Sequence, residues 1–175
     1  MRRLLPLLLL VTWARLLAQE AAAPRTMLWG SVGVGEAFIE AGGDFGVFME
    51  GTYQKGPSIL ALRFANASAI TTAIVTAISG EPGETAVHDL ALLYGRASPP
   101  GEWHGSLAAG LGVAWADRDS AGTRHTDSDL TIPVEVQALW SPSRYFGLVL
   151  CAFASFNDLA NFGGVTIGVA VGRLR

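Results

Sequence analysis

The amino-acid sequence predicts an all-β protein, a closed antiparallel up-and-down eight-stranded transmembrane β-barrel. Three observations predict this architecture. Apolar residues alternate with small or polar ones over long stretches, as along a strand whose two faces meet different surroundings. These stretches are longer than the strands of soluble proteins, and the connections between them alternate between short and long.

The composition of the 175-residue chain agrees with a folded β protein. Half of the residues are hydrophobic and 15% are charged, the opposite of the balance in a disordered chain. The 21 glycines are more than helix bundles usually contain. No uninterrupted apolar run reaches the roughly 18 residues that suggest a transmembrane helix.

The first 18 residues are predicted to be a signal peptide. They have a basic start, a short apolar stretch over 4–12, and small or tolerated residues before Gln19. An N-terminal membrane anchor is the alternative, but Arg15 interrupts the apolar run before it reaches about 20 residues. We expect a short segment over 19–26 and a barrel domain over 27–175.

Charge and cysteine content exclude several classes of protein. Removing the three arginines of the leader changes the net charge from −3 to −6, since −3 − 3 = −6, which argues against a nucleic-acid partner. The single cysteine, Cys151, excludes an internal disulfide and a C-x-x-C site, and we interpret it as a packing residue. No cysteine stands directly after the leader, where Gln19 is found, so lipid anchoring at that position is not expected.

Eight segments carry the alternating pattern. Most are longer than the 5–6 residues typical of soluble strands and match the roughly 9–11 that a tilted strand needs to cross a bilayer. The predicted strands span 27–35, 45–54, 58–66, 87–96, 104–115, 130–140, 144–156 and 164–173.

The connections predict which way the barrel points. Three short, proline-containing turns follow strands 2, 4 and 6, at 54–57, 98–101 and 141–143. The other connections are mostly longer and more polar, at 36–44, 67–86, 117–129 and 157–163. Outer-membrane barrels have short periplasmic turns and longer outer loops, so both termini are expected at the periplasmic end. Residues 67–86 are predicted to form an extended hairpin, although isoleucines spaced by four also suit a helix.

Turn lengths give a first estimate of register. A four-residue turn at 54–57 places Tyr53 opposite Ser58 and leaves Glu50 diagonal to Arg63. A four-residue turn at 98–101 places Leu93 opposite Ser106. Pro133 lies inside strand 6, where it lacks the N–H of a strand residue, so a bulge is expected there.

Aromatic residues cluster by strand end and predict two girdles at the membrane boundaries. Scattered core aromatics are the alternative. Tyr53, Trp103, Trp140 and Tyr145 lie at the short-turn ends, and Trp115 and Phe156, with Phe45, Phe64 and Phe162, lie near the other ends.

These patterns resemble the small eight-stranded outer-membrane β-barrel families of the OmpA-like, OmpW-like and OmpX-like kind, over about residues 25–175. The resemblance implies export to the outer membrane of a Gram-negative-type bacterium, contact with outer-membrane lipids, and biogenesis through the barrel-assembly machinery. The sequence departs from these families at Gly172–Arg175, where they usually end in an aromatic residue.

The inward polar residues form a predicted ion-pair network in the lumen. Because lipid leaves polar groups unsatisfied, these side chains should face inward. The predicted members are Glu50, Arg63, Asp89, Glu135 and Gln137. We interpret the network as a structural plug, with a gate or ligand site as the alternative, because an eight-stranded barrel is filled by side chains or holds one small ligand. Inward glycines leave room that Trp29, Phe48 and Phe153 could fill, or that an apolar molecule could occupy.

No catalytic, metal or cofactor site is predicted. Arg124–Asp129 holds His, Asp and Ser together but is interpreted as a solvated loop, and Asp117–Gly122 lacks the later ligands of a calcium loop. His88 and His104 are isolated along the chain, and no phosphate-binding glycine motif precedes a helix.

The sequence therefore predicts a monomeric, non-enzymatic outer-membrane barrel with a structural or surface-binding role and an unidentified surface ligand. One alternative is a soluble periplasmic barrel that binds a lipid or apolar ligand. The other is an outer-membrane lipid-modifying enzyme using His125 and Ser128, although the His-x-Ser-Asn pattern of lipid A deacylases is absent there.

Overall fold

The computed structural model describes residues 26–39, 42–68, 86–120 and 123–175. Their backbone forms eight antiparallel strands, each paired with the next, and the last pairs with the first to close a barrel. The strands are β1 (Thr26–Ile39), β2 (Gly42–Lys55), β3 (Ser58–Ser68), β4 (Ala86–Ala97), β5 (Trp103–Ser120), β6 (Thr123–Trp140), β7 (Phe146–Phe156) and β8 (Phe162–Arg173). The predicted fold class is confirmed. No helix among these residues is long and apolar enough to cross a membrane.

Two predicted loops were wrong because the strands extend beyond the alternating pattern. β1 and β2 pair as far as Ile39 and Gly42, and β5 and β6 as far as Ser120 and Thr123, so most of 36–44 and 117–129 is strand. Outside a hydrocarbon layer both faces of a strand tolerate polar residues, so backbone pairing continues where the pattern fades. The predicted signal peptide and most of the 67–86 hairpin lie outside the described residues.

The side chains point as the alternation predicted. Along β7 and β8 exposed and buried residues alternate, with the large apolar side chains on the outside. Leu111 is 71% exposed and Leu130 is 76% exposed, whereas Arg63 and Asp89 inside the barrel are fully buried. This is the reverse of a water-soluble barrel, in which the apolar face would line the interior.

The predicted register was wrong by an even number of residues. The turn between β2 and β3 contains only Gly56 and Pro57, so Lys55 pairs with Ser58 and Glu50 lies directly opposite Arg63. Gly56 has a φ of 60°, a conformation that suits glycine in a two-residue hairpin turn. Similarly, Leu93 pairs with Gly110 rather than Ser106. Even shifts preserve the face of every side chain, so the inward residues were still assigned correctly.

The predicted bulge at Pro133 is absent. Ala109 pairs with Val134 and Gly112 pairs with Thr131, so β5 and β6 keep one register on both sides of the proline. Between these pairs the β5–β6 pairing is interrupted, while Pro133 still pairs with Ser155 of β7. A local gap on the β5 side accommodates the missing N–H without an extra residue.

Two inward glycines lie in close contact with neighbouring groups, and Phe48 fills the space at Gly33, which is one of the two alternatives that the sequence left open. A Cβ atom at Gly110 would lie 1.9 Å from the carbonyl oxygen of Leu92 on the neighbouring strand. At Gly33 it would lie 2.5 Å from the Phe48 ring. These glycines allow the close approach of backbone and aromatic ring that a narrow barrel requires.

Candidate functional site

Arg63 lies at the centre of the lumen and links its own strand to three others. Its Nη2 atom lies 3.2 Å from Asp89 Oδ1 and donates a hydrogen bond to Ser155 Oγ at 2.9 Å. Its Nη1 atom lies 3.4 Å from Glu135 Oε2. The guanidinium carbon also lies 5.1 Å from the centre of the Phe153 ring, within the range of a cation–π contact. A single buried side chain thus connects β3 to β4, β6 and β7.

Gln137 connects this centre to Glu50. Its Nε2 atom donates to Glu50 Oε1 at 2.9 Å and to Glu135 Oε1 at 2.7 Å. The hydroxyl of Thr52 also donates to Glu50 Oε1. The structure therefore brings all five residues of the predicted network together.

Ser155 and Thr52 belong to the same network, although the sequence placed them only on the inward face. Ser155 Oγ donates to Asp89 Oδ2 at 2.6 Å, so it bridges the guanidinium and the carboxylate. The alternating pattern placed these two residues on the inward face. Membership of the network also depends on the position of each side chain along the barrel axis, and that position requires the register.

The charges of this network do not balance. The described residues of the network include the carboxylates of Glu50, Asp89 and Glu135 and one guanidinium, Arg63, so the formal excess is two negative charges. Glu50 Oε2 and Arg63 Nε are buried without a hydrogen-bond partner. Buried charges are costly unless they are paired, so removing the guanidinium would leave every carboxylate here uncompensated.

Apolar side chains close the lumen on both sides of the network. Trp29 and Phe48 are buried, as the sequence suggested, and the Trp29 ring meets the His104 ring edge-on at 5.6 Å. Near the short-turn end, Leu174 is fully buried at the mouth of the barrel. The buried apolar layers contain Met27, Trp29, Leu139, Val149 and Leu174 towards the short-turn end, and Ala37, Phe48, Ala65, Ala67, Ala116 and Phe162 towards the other. These buried apolar layers lie on both sides of the polar network within the described residues.

Aromatic rings lie on the outer face near both ends of the barrel. At the short-turn end, Trp103 is 69% exposed and stacks on Trp140, with ring centres 6.0 Å apart. Tyr53 and Tyr145 are exposed at the same end. At the other end, Phe156 is exposed and the Trp115 ring is half-buried.

The assignments of Phe162 and His88 need correction. Phe162 points into the lumen and is buried, so it is not part of an outer girdle. His88, which appeared isolated along the chain, lies on the outer face with its ring 5.3 Å from that of Trp115. Asn66 Nδ2 lies 2.9 Å from His88 Nδ1, so a polar pair lies beside the aromatic rings at the end opposite the short turns.

The spacing of the two aromatic levels matches a bilayer. Trp103 and Trp115 are on the same strand, 12 residues apart since 115 − 103 = 12. That separation is about 41 Å along the strand, or about 31 Å along the barrel axis at a typical tilt of about 40°. The hydrocarbon core of a bilayer is roughly 30 Å thick.

The stretch Arg124–Asp129, which holds His, Asp and Ser together, is strand rather than the predicted loop. Ser128 pairs with Trp115 and Thr126 pairs with Asp117, so the stretch is the part of β6 that lies farthest from the short-turn end. The Asp127 and Ser128 side chains are exposed. Within the described residues, no group of three or more His, Cys, Asp or Glu side chains is placed to hold a metal ion.

The closed eight-stranded barrel with a polar centre and an apolar outer wall is the fold of the small outer-membrane barrel proteins. Solved structures of this fold include neisserial surface protein A, with a TM-score of 0.59 and 11% identity over 83% of this chain and 96% of that one. Ail of Yersinia pestis gives 0.59 and 12% over 86% and 99%. The N-terminal barrel domain of Pseudomonas aeruginosa OprF gives 0.57 and 9% over 85% and 99%. No family model and no curated protein matches the sequence. These likenesses establish the fold.

Proposed function

We propose that this protein is a monomeric, non-enzymatic barrel that spans the outer membrane of a Gram-negative-type bacterium, contacts its lipids, and has a structural or surface-binding role. The outer wall carries this proposal. Ile167 is 63% exposed and Leu130 is 76% exposed, and they belong to a belt of large apolar side chains between the two aromatic levels. Soluble monomers rarely expose apolar patches above a few hundred Å², so hydrocarbon is the surrounding that suits this wall. Biogenesis through the barrel-assembly machinery follows from the same placement.

The filled lumen supports a structural role rather than transport. Arg63 ties the walls together at the centre, and Phe48 and Leu174 are fully buried on either side of it. We therefore expect purified protein in planar bilayers to show no stable open-pore conductance. A steady ohmic current from the wild type would contradict the plugged lumen.

The end with the longer connections is acidic and supports a cationic surface ligand. Glu36, Asp127 and Asp158 are exposed there. The Ail structure includes a complex with the heparin analogue sucrose octasulfate, a polyanion. The exposed carboxylates of this chain have the wrong charge for such a ligand, so we propose a basic peptide or other cationic partner instead.

A matched pair of arginine substitutions tests membrane placement. Leu111→Arg puts a charge on the outer wall between the aromatic levels, and Asp127→Arg puts one on the exposed rim. Leu111→Arg should lower the free energy of unfolding in vesicles by about 2–4 kcal/mol, whereas Asp127→Arg should change it by less than about 0.5 kcal/mol. The measurement is the urea midpoint of the heat-modifiable gel band after membrane fractionation.

The same fractionation separates the rival functions. A soluble lipid-binding barrel would purify from the periplasm without detergent, and Leu111→Arg would then behave like Asp127→Arg. A lipid-modifying enzyme would change the mass spectrum of the outer-membrane lipids in expressing cells, and Ser128→Ala or His125→Ala would abolish that change. We expect the wild type itself to leave the lipid spectrum unaltered.

A further inference from the structure

Opposite charges distinguish the two ends of the barrel. At the short-turn end the described residues include several cationic side chains and one acidic side chain, Glu102; the cationic ones are Lys55, Arg96, Arg144, Arg173 and Arg175. The ion pairs among the described residues are those of Arg63 in the lumen, so no carboxylate neutralises these cations. The short-turn end therefore offers free positive charge at the level of one membrane boundary.

Two of these cations flank one strand on the outer wall. Lys55 of β2 pairs with Ser58 of β3, and Ser58 pairs with Arg96 of β4. The Cα atoms of Lys55 and Arg96 are thus two strand spacings apart, about 9.5 Å. Both side chains are exposed and point outward, by the parity of their strands. Long, flexible cationic side chains at this spacing can converge on one anionic group placed over Ser58.

Hydroxyl groups lie between the two cations. Tyr94, on the same face of β4 as Arg96, donates a hydrogen bond to Ser58 Oγ at 3.4 Å. Tyr94 is 61% exposed, so its ring lies against the surroundings of the barrel at the boundary level. Because Tyr94 donates to Ser58, the Ser58 hydroxyl proton is available to an anion, which would also meet two positive charges; phosphate oxygens accept from such donors.

An open, shallow cavity of about 260 Å³ lies on the same outer wall, farther from the short-turn end than this cluster, and spans β1 to β4. It is lined on the outer wall by Val32, Met49, Gly51, Leu62, Phe64 and Leu90. Gly51 forms its floor, and no atom lies within 4 Å of the position that a Cβ atom would occupy there. Ser31 and Glu50 also border it, but they are buried on the inward face, so the side chains that face the cavity are apolar and suit a hydrocarbon group.

The distance between the cations and the cavity suits one leaflet of a bilayer. Gly51 precedes Lys55 by four residues on β2, since 55 − 51 = 4. That is about 14 Å along the strand, or about 10 Å along the barrel axis at a tilt of about 40°, which lies within the roughly 15 Å that one leaflet contributes to the hydrocarbon core. Leu60, exposed on β3, continues the apolar wall between them. A membrane phospholipid therefore has the dimensions to place its phosphate at the cations and an acyl chain in the cavity.

We propose that the outer wall of β1 to β4 is a binding site for an anionic phospholipid of the periplasmic leaflet. Lys55 and Arg96 hold its phosphate together with the hydroxyl of Ser58, which Tyr94 orients, and one acyl chain fills the cavity over Gly51. An anionic headgroup is preferred because a zwitterionic one brings its own ammonium, which repels the two unpaired cations. This site rests on the proposed membrane placement and adds lipid selectivity to it.

Native mass spectrometry of the barrel released from mixed-lipid nanodiscs tests the site. The lipids are phosphatidylglycerol and phosphatidylcholine with the same acyl chains, and the readout is the ratio of the two lipids retained per barrel. The wild type should retain phosphatidylglycerol preferentially. In Lys55→Ala/Arg96→Ala that selectivity should fall by up to about 30-fold, at about 1 kcal/mol for each cation.

Two further variants separate a defined site from general attraction. Arg144→Ala/Arg173→Ala removes two positive charges from the same end of the barrel but outside the site. The logarithm of its ratio of retained lipids should stay at least half of the wild-type value. Gly51→Leu fills the cavity without changing charge and should weaken retention of both lipids. Equal losses in the two double variants, or wild-type retention in Gly51→Leu, would overturn the proposal.

Failure of the site is distinguishable from failure of the membrane placement. A barrel that inserts into nanodiscs and shifts on heating, yet retains both lipids equally, disproves the lipid site and leaves the proposed function intact. A chain that stays outside the nanodiscs disproves the placement itself. Heat-modifiable migration of each variant confirms that it has folded.

Discussion

Replacement of Arg63 by methionine would remove the guanidinium that holds the lumen network together. Methionine keeps an unbranched apolar chain against Phe153 but leaves the carboxylates of Asp89 and Glu135 without their cation. The variant therefore separates the electrostatic contribution of Arg63 from the space that it fills. The same replacement at Arg173, which is exposed at the short-turn rim, is a matched control.

The structure sets the size of the effect. Removal of one partner from a buried ion pair usually costs about 3–5 kcal/mol, because the other charge stays buried without compensation. Two carboxylates are affected, but Asp89 keeps the Ser155 hydroxyl at 2.6 Å and Glu135 keeps the Gln137 amide at 2.7 Å. We therefore expect a loss of about 3–5 kcal/mol in total rather than for each pair. Arg173→Met should change stability by less than about 0.5 kcal/mol.

Urea unfolding in zwitterionic vesicles, followed by tryptophan fluorescence and by the heat-modifiable gel band, measures the difference. Arg63→Met/Asp89→Asn should recover part of the loss, because one of the stranded charges is removed. An Arg63→Met barrel as stable as the Arg173→Met barrel would refute the reasoning, since it would mean that the carboxylates are solvated inside the lumen.

Two further predictions use the same unfolding assay. Glu50→Gln removes one of the two excess negative charges while leaving an acceptor for Thr52 and Gln137, so it should stabilise the barrel by about 1 kcal/mol; a loss comparable to that of Arg63→Met would contradict the charge balance described above. Gly110→Ala should sharply reduce the heat-modifiable folded fraction, because the new Cβ atom would lie 1.9 Å from the Leu92 carbonyl oxygen. Gly51→Ala, where that space is open, is its control, and equal folding of the two alanine variants would contradict the close approach of the strands.

The sequence determined which way the side chains point. Leu111 and Leu130 were assigned outward and Arg63, Asp89 and Glu135 inward from alternation alone, and the structure places them so. Alternation has a period of two residues, so the assignment survived register errors of two and four residues. The number of strands followed from the same pattern, because each crossing of a hydrocarbon layer requires an apolar face of nearly fixed length.

Tertiary structure alone decided which side chains meet. The two-residue turn at Gly56 and Pro57 places Glu50 directly opposite Arg63, yet the hydrogen bonds of Glu50 go to Gln137 and Thr52 while Arg63 contacts Asp89 and Glu135. Closure of β8 onto β1 brings distant strands to the same height, and close packing fills the space beside inward glycines such as Gly33 with Phe48. The alternating pattern specifies which face a side chain takes, because the face depends only on a residue and its neighbours along the same strand. Height and contact depend on the turns and on closure of the whole sheet, which no single segment of the chain contains.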